Sequence, residues 1–191
     1  MSSDKWRAPD QTEDPLPRRQ LRLTGVFLAV VAAGLVGAWL FQGGTTASGP
    51  ASASIGEPAP DFEIENIEGD DPIVLSELVA GHDGPLVLNL MASWCGPCRE
   101  EIPELSAFAD ANPDVLVLGV DVEDVYEDFR QFMSEVQPTY MVGFDDGDMR
   151  ARYQTLGLPA TFFLDSEGRI VDVFNGILNE SILEEIVAGI G

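Results

Sequence analysis

The stretch that most limits how this chain can fold is Leu86-Val87-Leu88-Asn89-Leu90-Met91, followed within three residues by Trp94-Cys95-Gly96-Pro97-Cys98 and a helix-like segment from Arg99 to Ala111. A continuous apolar run broken only by Asn89 reads as a strand covered on both faces. Gly96 and Pro97 suit a tight entry into a helix, since proline in the first turn gives up no N–H that the helix needs. Both cysteines of the chain therefore stand at the start of a helix. There the helix N-terminus favours the thiolate, the form that attacks a disulfide.

Other chemistries for this pair fit less well. A closed zinc site needs four ligands, and the chain offers two Cys and one His, so carboxylates would have to complete it. Covalent haem attachment needs His after the second Cys, where this chain has Arg99. A purely structural disulfide across so few residues constrains little chain entropy. Redox chemistry is the expectation, with Cys95 as the attacking thiol at the exposed helix start and Cys98, one turn in, as the resolving thiol. No metal and no cofactor is expected. His82, in Gly81-His82-Asp83-Gly84, reads as a solvated loop residue.

The N-terminal part speaks to compartment. Leu23 to Phe41 is 19 residues without a charge, and at 1.5 Å per residue it spans roughly 28 Å, the thickness of a bilayer core. Arg18, Arg19 and Arg22 precede it, and no Lys or Arg follows until Arg99. The positive-inside rule puts residues 1–22 in the cytoplasm and the rest outside. Ala51-Ser52-Ala53 resembles a signal-peptide cleavage site, but it lies ten residues past Phe41, so an uncleaved anchor is expected. The expected organisation is a disordered tail (1–22), a transmembrane helix (23–41), a flexible linker (42–57) and one domain (58–191). From Gly43 onward there are 29 Asp and Glu against 5 Arg and no Lys. That balance argues against nucleic acid or anionic lipid as a charge partner. It fits solubility, or adaptation to a salty exterior where self-repulsion is screened, more readily than docking to basic partners.

Within the domain, residues 60–65 alternate as an edge strand would, and Pro72 to Leu75 is a short strand leading into a helical turn. Residues 115–120 form a second buried strand ending at Asp121. Val125, Phe129, Phe132 and Met133 share one helical face. Residues 140–144 suggest a strand and 149–156 a short helix. Thr161–Leu164 and Ile170–Phe174 flank a hairpin connection, and Ser181 to Ala188 closes the domain as a helix. Pro103 should kink the helix that carries it. The order predicts an α/β fold, a central mixed sheet flanked by helices.

Several blocks carry a resemblance: Gly56-Glu57-Pro58-Ala59-Pro60-Asp61-Phe62, Leu75-Ser76-Glu77-Leu78, the run from Val87 through Trp94-Cys95-Gly96-Pro97-Cys98 to Pro103, Gly157-Leu158-Pro159-Ala160-Thr161-Phe162-Phe163-Leu164-Asp165, and Glu167-Gly168-Arg169-Ile170. With them the chain resembles membrane-anchored thioredoxin-like proteins of the TlpA/ResA type, within the redoxin group. The resemblance implies a thioredoxin-like fold and an extracytoplasmic thiol–disulfide oxidoreductase that reduces protein disulfides. It implies apocytochrome c as a substrate and recharging by a membrane thiol–disulfide donor. It implies a cis peptide before Pro159, packed against the dithiol, and a glutamate, here Glu101, that moves the proton of Cys98. The spacing agrees, because Glu101 is three residues beyond Cys98 while Glu100 points elsewhere. Trp94, Gly96, Pro97, Leu158 and Pro159 are expected to line the substrate groove, with a core role for Trp94 as the alternative. Asn89 stands where ordinary thioredoxins carry a buried Asp, and Leu90-Met91 where an aromatic pair is common. A peroxiredoxin-like peroxidase is a competing reading, weakened by the lack of a Thr-x-x-Cys arrangement. A non-catalytic binding module is another, weakened by the presence of both cysteines and Pro159.

Overall fold

A computed structural model describes residues 53–190. In chain order the elements are β1 (Glu63–Asn66), β2 (Ile73–Val74), α1 (Leu75–Gly81), β3 (Leu86–Met91), α2 (Gly96–Ala111), β4 (Leu116–Val122), α3 (Tyr126–Val136), β5 (Met141–Asp145), α4 (Met149–Arg152), β6 (Ala160–Leu164), β7 (Ile170–Asn175) and α5 (Glu180–Ala188). The strands form one sheet in the order β2-β1-β5-β4-β3-β6-β7.

All six residues of β3 are buried, as its unbroken apolar character requires. It pairs in parallel with β4 and antiparallel with β6, and β4 pairs in parallel with β5. The sheet is therefore mixed. Alternation along β3 sends Val87, Asn89 and Met91 to one face and Leu86, Leu88 and Leu90 to the other. On the first face they meet Cys98, Ile102, Leu105 and Phe108 of α2, Phe129, Phe132 and Met133 of α3, and Leu183 of α5. On the second face the core is completed by Phe62, Ile64, Leu75, Met149 and Tyr153. At about 25 cal/mol per Å² of apolar surface, such two-sided burial is what holds the layers together.

Several expectations shift. The strand near residues 60–65 is not the edge, because β2 pairs outside it. The strand β4 runs on through Asp121 to Val122, with Asp121 fully buried. Val125 does not share the buried face of α3; it is the exposed N-cap residue. The helix α4 stops at Arg152, because Gln154 takes a left-handed conformation (φ 53°) that turns the chain, and Leu156 is left 97% exposed. The helix α2 continues through Pro103, which lies on its exposed side, where water can replace a missing helical bond.

The expected tail and apolar span (1–22 and 23–41) lie outside the described residues, as does the linker up to residue 52. The last linker residues are fastened to the sheet: Gly56 N–H donates to the Ile170 carbonyl at 2.7 Å and Ile170 N–H to the Glu57 carbonyl at 3.0 Å. Among the described residues no helix is long and apolar enough to cross a membrane.

Candidate active site

The strand β3 ends at Met91, and the chain passes through Ala92, Ser93 and Trp94 into α2. Ser93 is fixed from outside: its N–H donates to Asp124 Oδ2 at 2.6 Å and its hydroxyl to Asp124 Oδ1 at 2.9 Å. Cys95 is then the N-cap of α2, and its Sγ accepts the N–H of Cys98 at 3.2 Å. A sulfur in that place is stabilised as an anion by the helix N-terminus. The two cysteines form a disulfide, with Cα atoms 5.3 Å apart. Cys95 was expected to be exposed. It is instead buried, at 4% exposure against 0% for Cys98, as the N-cap residue of α2 bonded to Cys98.

Gly96, Pro97, Arg99 and Glu100 are exposed. Trp94 is 58% exposed, which excludes the core role. The Arg99 guanidinium lies 4.5 Å from the centroid of the Phe132 ring, pairs with Glu135 at 2.8 Å and donates to the Ser93 carbonyl at 3.3 Å. The Leu158–Pro159 peptide is cis. Ala160, the next residue, pairs with Leu90 at the end of β3. That register brings buried Pro159 and half-buried Leu158 to the end of the sheet from which the dithiol loop leaves.

Glu101 lies behind the disulfide on the buried face of α2 and is wholly inaccessible. Its Oε1 accepts the Leu178 N–H at 3.2 Å and its Oε2 accepts Asn89 Nδ2 at 3.3 Å, while Asn89 also donates to Thr161 Oγ1 at 2.9 Å. Two opposed effects act on this carboxyl. Loss of water favours the neutral acid; the hydrogen bonds from Leu178, Asn89 and Thr161 favour the anion. Burial wins, and the pKa rises from 4.5 to about 7. The buried Tyr140 hydroxyl has no partner, and burial and then the nearby Glu101 charge push its pKa up.

Sequence reasoning missed a second carboxyl on this face. Asp121 sits in register with Met91 and is fully buried. Burial first, then the neighbouring Asp124, push its pKa up to about 9. The available signal was an acid inside the apolar run Leu116–Val122, read instead as the strand's end. His82 is remote: it caps α1, and its Nε2 lies 3.1 Å from the Asp114 carbonyl, at the other end of β3. No group of three or more metal-ligating residues occurs among the described residues.

Residues 55–173 match the AhpC/TSA family. The chain belongs to that family. HelX of Rhodobacter capsulatus, a thiol:disulfide interchange protein, is 32% identical over 160 residues, covering 81% of this chain and 87% of that one. The thiol:disulfide interchange protein DsbE of Pseudomonas fluorescens biotype C is 28% identical, covering 72% and 75%. A secreted disulfide oxidoreductase of Mycobacterium tuberculosis, homologous to E. coli DsbE, superposes with a TM-score of 0.58 at 27% identity, covering 67% of this chain and 95% of that one. The fold of this AhpC/TSA member is thioredoxin-like. With Cys95 and Cys98 at bonding distance and relatives of this kind, it is a thiol–disulfide oxidoreductase of the DsbE/ResA type.

Proposed function

We propose that this protein reduces disulfides of proteins outside the cytoplasmic membrane, held there by residues 23–41 and recharged by a dithiol donor in the membrane. Apocytochrome c, whose cysteines must be reduced before haem attachment, is the substrate class that the TlpA/ResA resemblance suggests. The observation that carries the catalytic part is the buried Glu101 behind Cys98, with a pKa of about 7. Support for the location comes from Arg18, Arg19 and Arg22 before a charge-free run of 19 residues.

In the forward direction the Cys95 thiolate attacks a substrate sulfur. The substrate S–S bond breaks and one substrate thiolate leaves. The Cys98 thiol then gives its proton to ionised Glu101 and attacks Cys95 Sγ. The mixed disulfide breaks, the second substrate sulfur leaves as a thiolate, and the Cys95–Cys98 bond forms. Two electrons have passed to the substrate. The donor dithiol returns them, and Glu101 returns the proton to Cys98. A carboxyl with a pKa near working pH can serve both directions. Trp94, Gly96, Pro97, Leu158 and Pro159 form the surface over which the substrate chain lies.

A Cys98→Ser variant keeps the attacking sulfur and stops at the mixed disulfide. In intact cells it should accumulate adducts, sensitive to reductant, with exported proteins that carry cysteine pairs. A Cys95→Ser variant should hold none. Adducts confined to cytoplasmic proteins would overturn the proposed location, and no adduct at all would overturn the reductase.

A further inference from the structure

The Glu123-Asp124 step directly follows β4 and ties down both loops that border the sulfurs. Asp124 holds Ser93 twice, through its N–H at 2.6 Å and its hydroxyl at 2.9 Å, two residues before Cys95. Glu123 pairs with Arg150, and Arg150 Nη2 donates to the Leu156 carbonyl at 3.4 Å, three residues before the cis proline. Glu123 itself is left-handed, with φ 64°. A non-glycine residue keeps such a conformation where its surroundings over-determine it.

Behind this step lies Asp121. It is fully buried, neither carboxyl oxygen finds a donor, and the polar group within hydrogen-bonding reach is a second acid, Asp124. Two carboxyls at that range cannot both be ionised at low cost; one proton between them turns the repulsion into a hydrogen bond. The other neighbours do not relieve the charge. In register beside Asp121, β3 places Met91 and β5 places Phe144. The helix α2 brings Cys95, Cys98 and Glu101 onto the same face. Arg99 directs its guanidinium to Glu135 and the Ser93 carbonyl. The helix α3 contributes Phe129, Phe132 and Tyr126, whose hydroxyl is engaged with Glu65 and whose ring lies beside Arg130. Tyr140 enters from the segment before β5 and feels Glu101. No cation is among the groups acting on Asp121.

We propose that Asp124, backed by a proton shared with Asp121, is the positioning residue of the sulfur-bearing loop: it fixes Ser93 and, through it, the place of Cys95 at the mouth of α2. With the proton in place, the pair carries a single negative charge and the Asp124 oxygens stay on the Ser93 donors. When the pair loses that proton, the two carboxylates repel. Asp124 is only half-buried and next to a turn, so it is the one free to move, and Ser93 is released. The raised pKa of Asp121 keeps the proton on throughout the neutral range. Cys95 should therefore show an alkaline transition in reactivity that does not belong to its own thiol. The inference rests on the dithiol chemistry and not on the substrate or location proposed above, so it is tested with small reagents.

Asp121→Asn is isosteric and offers Asp124 a permanent N–H donor. The reduced full-length protein is alkylated with iodoacetamide from about pH 5 to 10, and the rate at Cys95 is followed by mass. The wild type should show an inflection near the alkaline end that the Asp121→Asn profile lacks. Asp124→Ala removes two charge-assisted hydrogen bonds from Ser93 and should shift the Cys95–Cys98 equilibrium with glutathione by about tenfold, equivalent to one such bond felt differently by the two redox states. A profile for Asp121→Asn that superimposes on the wild type overturns the proposal, whether or not the Asp124 variant folds. So does an Asp124→Ala protein with unaltered equilibrium and profile, even if its melting temperature falls, since that outcome describes a merely structural contact.

Discussion

Glu101 shows how one side chain can be both poorly solvated and well hydrogen-bonded, and why that serves a proton carrier. Its folded pKa, about 7, exceeds the ordinary 4.5. Between those values Glu101 in the native protein holds a proton that it has lost in the unfolded chain, so its contribution to stability falls as pH rises through this window and levels off above it, while buried Asp121 extends the fall to about pH 9. The Glu101 part is on the order of 3 kcal/mol at about 1.36 kcal/mol per unit. Glu101→Gln should make that slope shallower between about pH 4.5 and 7 in urea unfolding measured at a series of pH values, leaving the part that Asp121 contributes. It should also slow resolution of the mixed disulfide and flatten the pH dependence of insulin reduction near neutrality. Glu100→Gln, on the exposed side of the same helix, should leave both profiles as they are. If the two variants behave alike, Glu101 does not carry the proton.

At the scale of elements, the sheet depends on two places where no side chain fits. A Cβ on Gly119 in β4 would lie 2.9 Å from Met91 Cε and 3.0 Å from the Tyr140 ring. A Cβ on Gly143 in β5 would run into Ile64 Cδ1 and lie 3.1 Å from the Glu65 carbonyl. The Met91 methyl can yield; the β1 backbone cannot without opening its pairing with β5. Both Gly119→Ala and Gly143→Ala should destabilise, by about 1–3 kcal/mol as overpacking does, with Gly143→Ala the costlier in urea unfolding. Equal midpoints for wild type and Gly143→Ala would contradict this packing. Elements set by local pattern were legible in the sequence: β3 from its apolar run, the β6–β7 hairpin from Asp165-Ser166-Glu167-Gly168, α2 from Gly96-Pro97. What was not legible depends on contacts between distant segments. Val125 lies outside α3 and Leu156 outside α4 because of how the chain turns. Asp121 is buried because β4 continues between two strands, and Ser93 is held by a residue 31 positions away. Glu101 was named from the resemblance, with its spacing to Cys98 in agreement, but its hydrogen-bond partners Leu178 and Thr161 were not foreseen, since no local pattern links them.

For the whole molecule, charge is the dominant fact. A net charge of −23 on 191 residues produces self-repulsion that the fold must withstand, and salt screens it over about 8 Å at physiological ionic strength. The full-length protein should melt higher by roughly 5 °C or more between about 0.05 and 1 M sodium chloride. A melting temperature independent of salt would mean that the acids are spaced too widely to repel. Against that repulsion the sheet keeps one strand beyond reach. β3 is bonded on both sides along its length and covered on both faces. Its amides can meet bulk water only when the rest of the domain has come apart. The dithiol loop springs from the end of this strand, so the sulfurs can open and close through many turnovers on a footing that local fluctuations leave untouched.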